Sequence, residues 1–426
     1  MKRNAPLVIL LYALLFLALA SMKGEILALA IPIAIYLLSG LWYAPDDMQL
    51  RITREMDAER IVPNQLVKMT LSVTNIGKSN LEEIFFKDQI SPALEIVDGY
   101  PSYLCSLKKG ESISWSYTLT GPRGSFLFKG IEAQASDHLN ISRKTKFIPT
   151  EGQLFIIPPF TRIKNIKIRP RQTRAYAGNI PARIGGPGVE FFGLREYQPG
   201  DSPRWVNWRA SARHPQALFS NEYEQERVAD VGIILDGREK VNMGESGNSL
   251  YEHSVIAAAA LSDAFISAGN RVGLLLYGQT LRWTFPGYGH IQRERIMQSL
   301  ARAEIGNSSV FTDLMRIPSQ LFPINSQLVL ISPLKNDDYN TLIHLRARGY
   351  QVMVISPNPV NYEQENLPDN ANTRLAARII GMERRMFMLK LKRAGIQALD
   401  WDVNLPLDRL VKSHLGRPPA TRHPVS

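Results

Sequence analysis

Two long apolar stretches open the chain. Residues 7–22 and residues 26–44 contain no charged side chain, and the second stretch ends close to Trp42 and Tyr43. A helix of about 17 or more apolar residues can cross a bilayer, and aromatic residues favour its headgroup region. The pattern therefore predicts a two-helix transmembrane hairpin over residues 1–48. A signal peptide followed by one anchor is the alternative, but no convincing small-residue cleavage site follows the first stretch.

Basic residues flank this predicted hairpin on both sides, whereas the connection between its two stretches has no net charge. The flanking residues are Lys2, Arg3, Arg51, Arg54 and Arg60. Positively charged flanks stay on the cytoplasmic side of a membrane. The expected location is therefore the cell membrane, with two spans and with the large remaining part of the chain in the cytoplasm.

A period of two follows over residues 49–150. In "LVKMTLSVTN" (66–75), Val67, Met69, Leu71 and Val73 alternate with polar residues, and "SISWSYTL" (112–119) alternates in the same way. Such alternation is typical of half-buried antiparallel strands. Turn-forming stretches such as "NIGKSN" and "TGPRGSF" separate the strands,. We therefore predict a β-sandwich with an immunoglobulin-like architecture.

Continuous apolar runs alternate with helical patterns over residues 216–412. The runs include "VGIILD" (231–236), "RVGLLLYG" (271–278) and "QLVLIS" (327–332), and helices are predicted over 249–269 and 372–394. Strands buried on both faces and separated by helices indicate a doubly wound, mostly parallel sheet. The fold class expected for the whole chain is thus membrane-anchored α/β plus all-β.

Two basic segments flank this α/β pattern. Residues 151–215 form a predicted connector, and residues 413–426 form a basic tail expected to be disordered. The connector carries seven basic residues between Thr161 and Val189 and no acidic residue until Glu190: Arg162, Lys164, Lys167, Arg169, Arg171, Arg174 and Arg183.

The composition favours anionic partners. The 426 residues carry a net charge of +11 and a single cysteine, Cys105, which excludes an intrachain disulfide framework,. The basic residues are dispersed and accompany no nucleic-acid-binding motif, so we expect the positive charge to act at a lipid bilayer rather than on nucleic acid.

The stretch "YQPGDSPRWVNWRASARHP" (197–215) combines arginines and tryptophans. Ser202 and Pro203 suit the start of a helix over about 203–213, in which Arg204 would lie beside Trp208 and Trp205 beside Arg209. Two interpretations remain open. In the first, the arginines pair with Glu222, Glu224 and Glu226 and the tryptophans pack against the sheet; in the second, the element is an exposed recognition surface.

This stretch, with the glutamates and the strand after it, resembles the signature of the family called domain of unknown function fifty-eight. "RGSF" (123–126) and "SDHLN" (136–140) resemble weaker parts of the same pattern. The resemblance implies two N-terminal spans, a domain similar to von Willebrand factor A, and an AAA+ ATPase of the MoxR type as partner. The candidate interaction residues are Arg195, Tyr197, Gly200, Asp201, Arg204, Trp205, Trp208, Arg209 and Arg213.

An A-type domain would hold a divalent cation at the carboxyl ends of its strands. The implied pattern, Asp-x-Ser-x-Ser with a later Thr and Asp, is degenerate in this chain. Asp236 matches and Thr312 is a loose candidate, but Arg238, Lys240 and Pro333 replace ligands. We predict no metal and no cofactor, with Arg238 or Lys240 neutralising Asp236.

No motif for catalysis stands out. The chain lacks a Walker A loop, an HExxH pair and a nucleophile elbow. The predicted function is a membrane-anchored, non-enzymatic scaffold or adaptor for other proteins. The first alternative is a hydrolase of envelope polymers that uses strand-end carboxylates such as Asp236, Asp400 and Asp402. The second is a cation-dependent ligand-binding A-domain.

Overall fold

A computed structural model of the chain describes residues 5–22, 24–42, 48–136, 143–163, 180–214, 216–227, 229–244, 249–307 and 314–415. The chain divides into two compact units, Met1–Ile156 and Ile157–Ser426. Several sequence predictions lie outside the described residues: Thr312, the basic run from Lys164 to Arg174, most of "SDHLN", and the tail from residue 416.

Two helices begin the first unit, α1 (Ala5–Ser21) and α2 (Gly24–Trp42). At 1.5 Å per residue they are about 26 Å and 29 Å long, whereas the hydrocarbon core of a bilayer is about 30 Å thick. Pro32 lies inside α2, and Glu25 lies in its first turn. In the part of the chain that the structure describes, no helix is long and apolar enough to cross a membrane. The prediction of a membrane-anchored fold with a transmembrane hairpin, and of a two-span location in the cell membrane, is therefore wrong.

Antiparallel strands make up the rest of the first unit. One sheet has the order β1-β3-β7-β5 and the other β2-β9-β8-β4-β6, in which only the β2–β9 pairing is parallel. Side chains from both sheets form one buried cluster. The strands are β1 (Leu50–Met56), β2 (Arg60–Ile61), β3 (Val67–Asn75), β4 (Leu81–Asp88), β5 (Glu95–Gly99), β6 (Ser102–Leu107), β7 (Ser112–Thr120), β8 (Gly124–Ser136) and β9 (Arg143–Ile156).

A buried ion pair connects these two sheets. The side chains of Arg54 on β1 and Asp88 on β4 are both fully buried and in contact. The Tyr117 hydroxyl donates to Asp88 Oδ2 at 2.7 Å, and Arg54 Nη1 donates to the Thr150 carbonyl at 2.6 Å. The Arg54 guanidinium also lies 4.8 Å from the centre of the Phe128 ring. Burial raises the pKa of Asp88, although Arg54 and Tyr117 oppose this effect.

The second unit begins with a long antiparallel pair and continues into a mostly parallel sheet. β10 (Ile180–Glu196) pairs with β11 (Phe219–Arg227), and the short helix α3 (Trp208–Ser211) lies between them in sequence. The larger sheet has the order β14-β13-β12-β15-β16-β17, and only the β13–β14 pairing is antiparallel. Its elements are β12 (Asp230–Asp236), α4 (Leu250–Ser267), β13 (Arg271–Tyr277), β14 (Leu281–Gly287), α5 (Gly289–Ala301), β15 (Gln327–Ile331), α6 (Asp338–Ala347), β16 (Gln351–Pro357), α7 (Pro359–Asn366), α8 (Ala371–Arg393), β17 (Gln397–Trp401) and α9 (Leu407–Leu415).

Helices cover both faces of this sheet. Residues of α4 and α5 share one buried cluster with Ile233 and Leu235, whereas residues of α6 and α8 share another with Ile234. Every residue of β12 is buried. Gly232 permits this close packing, because a Cβ atom there would lie 2.2 Å from the Phe322 ring. The carboxyl end of the buried strand β12 brings Asp236 to the edge of the sheet.

Candidate functional site

The loop between β10 and β11 contains the sequence element that combines arginine and tryptophan. Gly200 takes a positive φ of 109° in the first turn. A 3-10 turn (Pro203–Trp205) and α3 then follow as separate pieces. Between them, Val206 is extended and forms a bridge with Ser220 of β11. The prediction of one continuous helix over 203–213 is therefore wrong, and the spacing that would place Arg204 beside Trp208 does not apply.

Hydrogen bonds fix this loop against β11. The Asn207 side chain accepts from the Ala210 amide at 2.9 Å, capping α3, and donates to Asn221 Oδ1 at 2.7 Å. Ser211 Oγ donates to the Asn207 carbonyl and accepts from the Phe219 amide, each at 2.9 Å. Asn207 and Ser211 therefore hold a short segment that could not be a stable helix by itself.

Four of the candidate interaction residues form the base of the loop. Arg195 Nη2 lies 2.6 Å from Asp201 Oδ1, and Arg195 Nε lies 3.8 Å from Glu222 Oε1. The Tyr197 hydroxyl donates to the Asp201 carbonyl at 3.0 Å, next to the turn at Gly200. The hydrogen bond from Arg195, and then that from the Gln198 amide, lowers the pKa of Asp201. These residues thus stabilise the loop conformation.

The other candidate residues of the loop lie on its surface. Trp208 is 69% exposed and Trp205 is 38% exposed, so neither tryptophan is buried against the sheet as the first interpretation required. Arg204, Arg209 and Arg213 are exposed as well. Leu194 and Leu218, at the two ends of the loop, add exposed apolar surface. The arrangement is a supported loop that presents aromatic and basic side chains.

The carboxyl edge of the six-stranded sheet holds a second cluster of charged residues. Arg238 Nε and Nη2 donate to the two carboxylate oxygens of Asp236 at 2.9 and 2.7 Å. Arg238 Nη1 and Nη2 donate to those of Asp338 at 3.1 and 3.0 Å. Ser332 Oγ donates to Asp236 Oδ2 at 2.6 Å. None of these four residues is more than 3% exposed.

The charges of this cluster depend on one another. Burial lowers the pKa of Arg238, but its hydrogen bonds and ion pairs with Asp236 and Asp338 outweigh burial, so the pKa is raised and the guanidinium stays charged. Burial raises the pKa of Asp338, and the hydrogen bonds from Arg238 and the Lys335 amide offset this only in part. Both carboxylates are engaged by one cation of the chain itself. A metal ion would have to displace Arg238 to reach them.

Among the described residues, Lys240 and Pro333 of the degenerate metal pattern do not supply the missing ligands. Lys240 is exposed in a 3-10 turn, Glu239–Val241. The Pro333 carbonyl accepts from Arg384 Nη1 at 3.0 Å and from Ser356 Oγ at 3.1 Å. Of the two basic residues that could neutralise Asp236, it is Arg238 that pairs with it.

A second arginine closes the same edge at β16 and β17. Arg384 Nε donates to Asp400 Oδ1 at 2.9 Å, and Arg384 Nη2 donates to Ser356 Oγ at 2.9 Å. Its side chain is 9% exposed. Asp402, the other carboxylate of the predicted pair, instead accepts from Asn361 Nδ2 at 2.9 Å. The two carboxylates therefore have separate partners.

Sequence reasoning missed Ser332, Asp338 and Arg384. Ser332 directly follows strand β15 and Asp338 begins the next helix, so their position after a buried strand was the signal available,. Next to Arg384, a cleft of about 380 Å³ lies between α7 and α8. Its charged lining residues are Arg374, Arg378, Arg384, Arg385 and Asp400.

The supported loop, the Arg238 cluster and Arg384 itself lie within one continuous part of the chain, whereas Asp400, the partner of Arg384, lies beyond it. Residues 193–386 match the family described as "Protein of unknown function DUF58". This DUF58 region extends from the end of β10 into α8. It covers the 197–215 stretch on which the sequence resemblance rests.

Two uncharacterized bacterial proteins are similar to parts of the chain. The protein YeaD of Bacillus subtilis is 26% identical over 169 residues, which are 39% of this chain and 40% of YeaD. The protein Rv1480 of Mycobacterium tuberculosis is 32% identical over 120 residues, 27% of this chain and 36% of Rv1480. The chain thus spans 40% or less of the length of these curated relatives.

Similar solved structures cover the chain only in part. Proximal thread matrix protein 1 of the mussel byssus has a TM-score of 0.27 at 15% identity and covers 44% of this chain and 47% of its own. A fragment of alpha-2-macroglobulin from Escherichia coli has a TM-score of 0.20 at 15% identity, and the match covers 28% of this chain and 18% of the alpha-2-macroglobulin chain. TM-scores this low do not establish a common fold for the whole chain.

Proposed function

We propose that the chain is a non-enzymatic adaptor that binds other proteins through the loop between β10 and β11. The observation that carries the proposal is the exposure of Trp205 and Trp208 on a loop fixed by Arg195, Asp201 and Asn207. Tryptophan and arginine are enriched at protein interfaces and at their energetic hot spots. A supported loop also loses little conformational freedom on binding, which favours affinity.

The carboxyl edge of the sheet supports a role without catalysis. Open α/β sheets place ligands and reacting groups at this edge. In this chain Arg238 binds both Asp236 and Asp338, and Arg384 binds Asp400. A carboxylate that acts as a general base needs a free oxygen near the proton it removes. These ion pairs would have to break first.

We propose an AAA+ ATPase of the MoxR type as the partner, in the assembly or maturation of other proteins. The resemblance of the 197–215 stretch implied this partner, and the match of the DUF58 region to a family of unknown function is compatible with it. Parallel strands alternating with helices in the second unit support the implied likeness to von Willebrand factor A domains. A protein partner accounts for exposed tryptophans better than nucleic acid does, because no nucleic-acid-binding motif accompanies them.

The proposal is tested by crosslinking and mass spectrometry of proteins that copurify with the tagged full chain, with and without ATP. We expect an AAA+ ATPase to be enriched with the natural chain. Trp205→Ser combined with Trp208→Ser is expected to lower the enrichment by about tenfold or more, since loss of one hot spot costs about 2 kcal/mol.

Phe285→Ser is the matched control, because Phe285 is an exposed aromatic residue on β14, outside the loop. It should leave the enrichment unchanged. If no AAA+ ATPase is enriched, the proposed partner is wrong; if the tryptophan variant enriches it fully, the loop is not the binding surface. A turnover that Asp236→Asn abolishes in a folded protein would contradict the non-enzymatic role.

A further inference from the structure

The helix α8 contributes to the core with only part of its length. It has 23 residues, yet its buried residues are Phe387, Met388 and Leu391, all near its carboxyl end. These three pack on the six-stranded sheet. The preceding four turns, from Ala371 to Met386, contain no buried apolar residue. Helical propensity alone does not explain the apolar residues on that part of the helix.

Five apolar residues of α8 form a line on its exposed side. They are separated by four, three, four and three positions, and each is between 47% and 59% exposed. At 100° per residue they fall within a sector of about 80°, opposite the buried residues. We name these residues the α8 seam: Leu375, Ile379, Met382, Met386 and Leu389. Alternating spacings of three and four are those of the a and d positions of helices that pair with another helix.

Basic residues border the α8 seam. Arg378, Arg385 and Lys392 follow one another at seven-residue intervals along one side, and Glu383 and Lys390 lie along the other. In paired helices these flanking positions meet the flanking residues of the partner and select it by charge. Four positive charges against one negative charge therefore favour a partner helix with acidic flanks.

The flanking charges favour an acidic partner over a second copy of this chain. In two parallel copies Arg378 would meet Glu383 of the other copy, but Arg385 would meet Lys390,. In two antiparallel copies the side with three basic residues would meet itself, whereas an acidic partner helix would meet four basic residues and a single acidic one. The segments 164–179 and 416–426 of this chain are basic and contain no acidic residue, so charge disfavours them as well. The seam, in a sector of about 80°, has the width of the narrow a/d stripe by which helices pair rather than that of a broad apolar face.

We propose that α8 is a docking surface for an acidic amphipathic helix of another protein, whose apolar residues pack on the α8 seam. This inference is independent of the loop between β10 and β11. It gives the chain a second interaction surface. The variants that test it are confined to α8, so Trp205 and Trp208 stay unchanged. Its failure would thus leave the proposed function of the loop untouched.

The test measures binding of two synthetic helical peptides to the full chain by fluorescence anisotropy. Both peptides have about 21 residues, with Leu and Ile at the a and d positions; one has Glu at the flanking positions and the other has Lys. We expect the Glu peptide to bind at least about tenfold more tightly than the Lys peptide, and to lose affinity as salt rises.

Two neighbouring isoleucines supply the variant and its control. Ile379 lies in the α8 seam and Ile380 lies outside it, but their exposed fractions are nearly equal, 47% and 49%. Ile379→Glu should weaken binding of the Glu peptide about tenfold or more, whereas Ile380→Glu should change it less than about twofold. Equal thermal unfolding of the two variants excludes a folding defect. Leu375→Glu, in a part of α8 without buried residues, provides a second seam variant.

Three outcomes would overturn the proposal. The first is that both peptides bind equally, and the second is that Ile380→Glu weakens binding as much as Ile379→Glu does. The third is that the Glu peptide does not bind and the seam has another occupant. A seam-dependent dimer in sedimentation would identify a second copy, and seam-dependent binding to phosphatidylserine vesicles would identify a lipid surface.

Discussion

At the scale of single residues, Arg238 is the countercharge that permits two carboxylates in the interior. A buried ion pair adds little net stability over an apolar replacement, but removal of one partner is costly because a buried charge remains. Arg238 forms four side-chain hydrogen bonds with Asp236 and Asp338. Its loss leaves two acidic groups close together without a cation.

We predict that Arg238→Met lowers the free energy of unfolding by about 3–5 kcal/mol. Adding Asp338→Asn should recover part of the loss, since it removes one of the two unpaired charges. Urea unfolding at neutral pH measures both effects. Lys240→Met, two positions away and exposed, is the control and should change stability by less than about 0.5 kcal/mol,. Equal stability of Arg238→Met and Lys240→Met would show that Arg238 is not the required countercharge.

His253 makes the stability of the fold depend on pH, because burial favours the neutral form of its imidazole ring. It lies on α4 with its ring edge-to-face against Trp401, the centroids 6.3 Å apart. Burial lowers the pKa of His253 from its ordinary value of 6.5, and the charge of Glu252 opposes this only in part. The unfolded chain therefore binds a proton at a higher pH than the folded chain does.

The stability linked to His253 should be complete above pH 6.5 and decline as the pH falls below it,. We predict that the natural chain loses more stability between pH 7 and pH 5 than His253→Gln does. Asp88 and Asp338, whose raised pKa values act in the opposite direction, are common to both proteins and cancel in the difference. His344→Gln, at an exposed position, should follow the natural chain. Parallel pH profiles for all three would exclude the effect.

At the scale of elements, continuous apolar runs predicted the buried strands well. The runs at 231–236, 271–278 and 327–332 coincide with β12, β13 and β15 to within one residue, because a strand covered on both faces needs apolar residues throughout,. Helix α4 begins after Ser249, whose side chain accepts from the Glu252 amide at 3.2 Å, and α8 ends before Gly395, with a φ of 72°. Local signals of this kind can be read from the sequence.

Errors arose where length or distant pairing decided the outcome. The apolar runs at the N-terminus suggested membrane spans, but no helix among the described residues is both long and apolar enough to cross a membrane. The helix over 203–213 was predicted from Ser202 and Pro203 as a helix start, yet the pairing of Val206 with Ser220 interrupts it. Arg238 and Asp338 are separated by 100 positions, so only the fold brings them together.

The loop between β10 and β11 should depend on Asn207 as its central hydrogen-bonding residue. We predict that Asn207→Ala destabilises α3 by about 1 kcal/mol, since an N-cap is lost. Amide hydrogen exchange should then rise at residues 208–213. Asn370 is the equivalent cap of α8, because its side chain accepts from the Thr373 amide at 2.8 Å. Asn370→Ala should therefore raise exchange only at the start of α8. Unchanged exchange at 208–213 in Asn207→Ala would show that β11 alone holds the loop.

At the scale of the whole molecule, each unit has its own buried core and at least one internal arginine. Arg54 connects the two sheets of the first unit, and Arg238 and Arg384 close the carboxyl edge of the sheet in the second. The sequence showed a net charge of +11 but not which basic residues are buried. The structure separates these internal arginines from exposed ones, such as Arg204 and Arg378, that can meet a partner.

Arg238 also determines how the sheet edge responds to its surroundings. A dissociable ion occupies its site in proportion to its free concentration, so the stability it confers follows mass action. A guanidinium two residues from Asp236 cannot diffuse away, and its effective concentration is fixed by the chain,. We therefore expect the charge balance at this edge not to depend on the supply of divalent ions or on chelators.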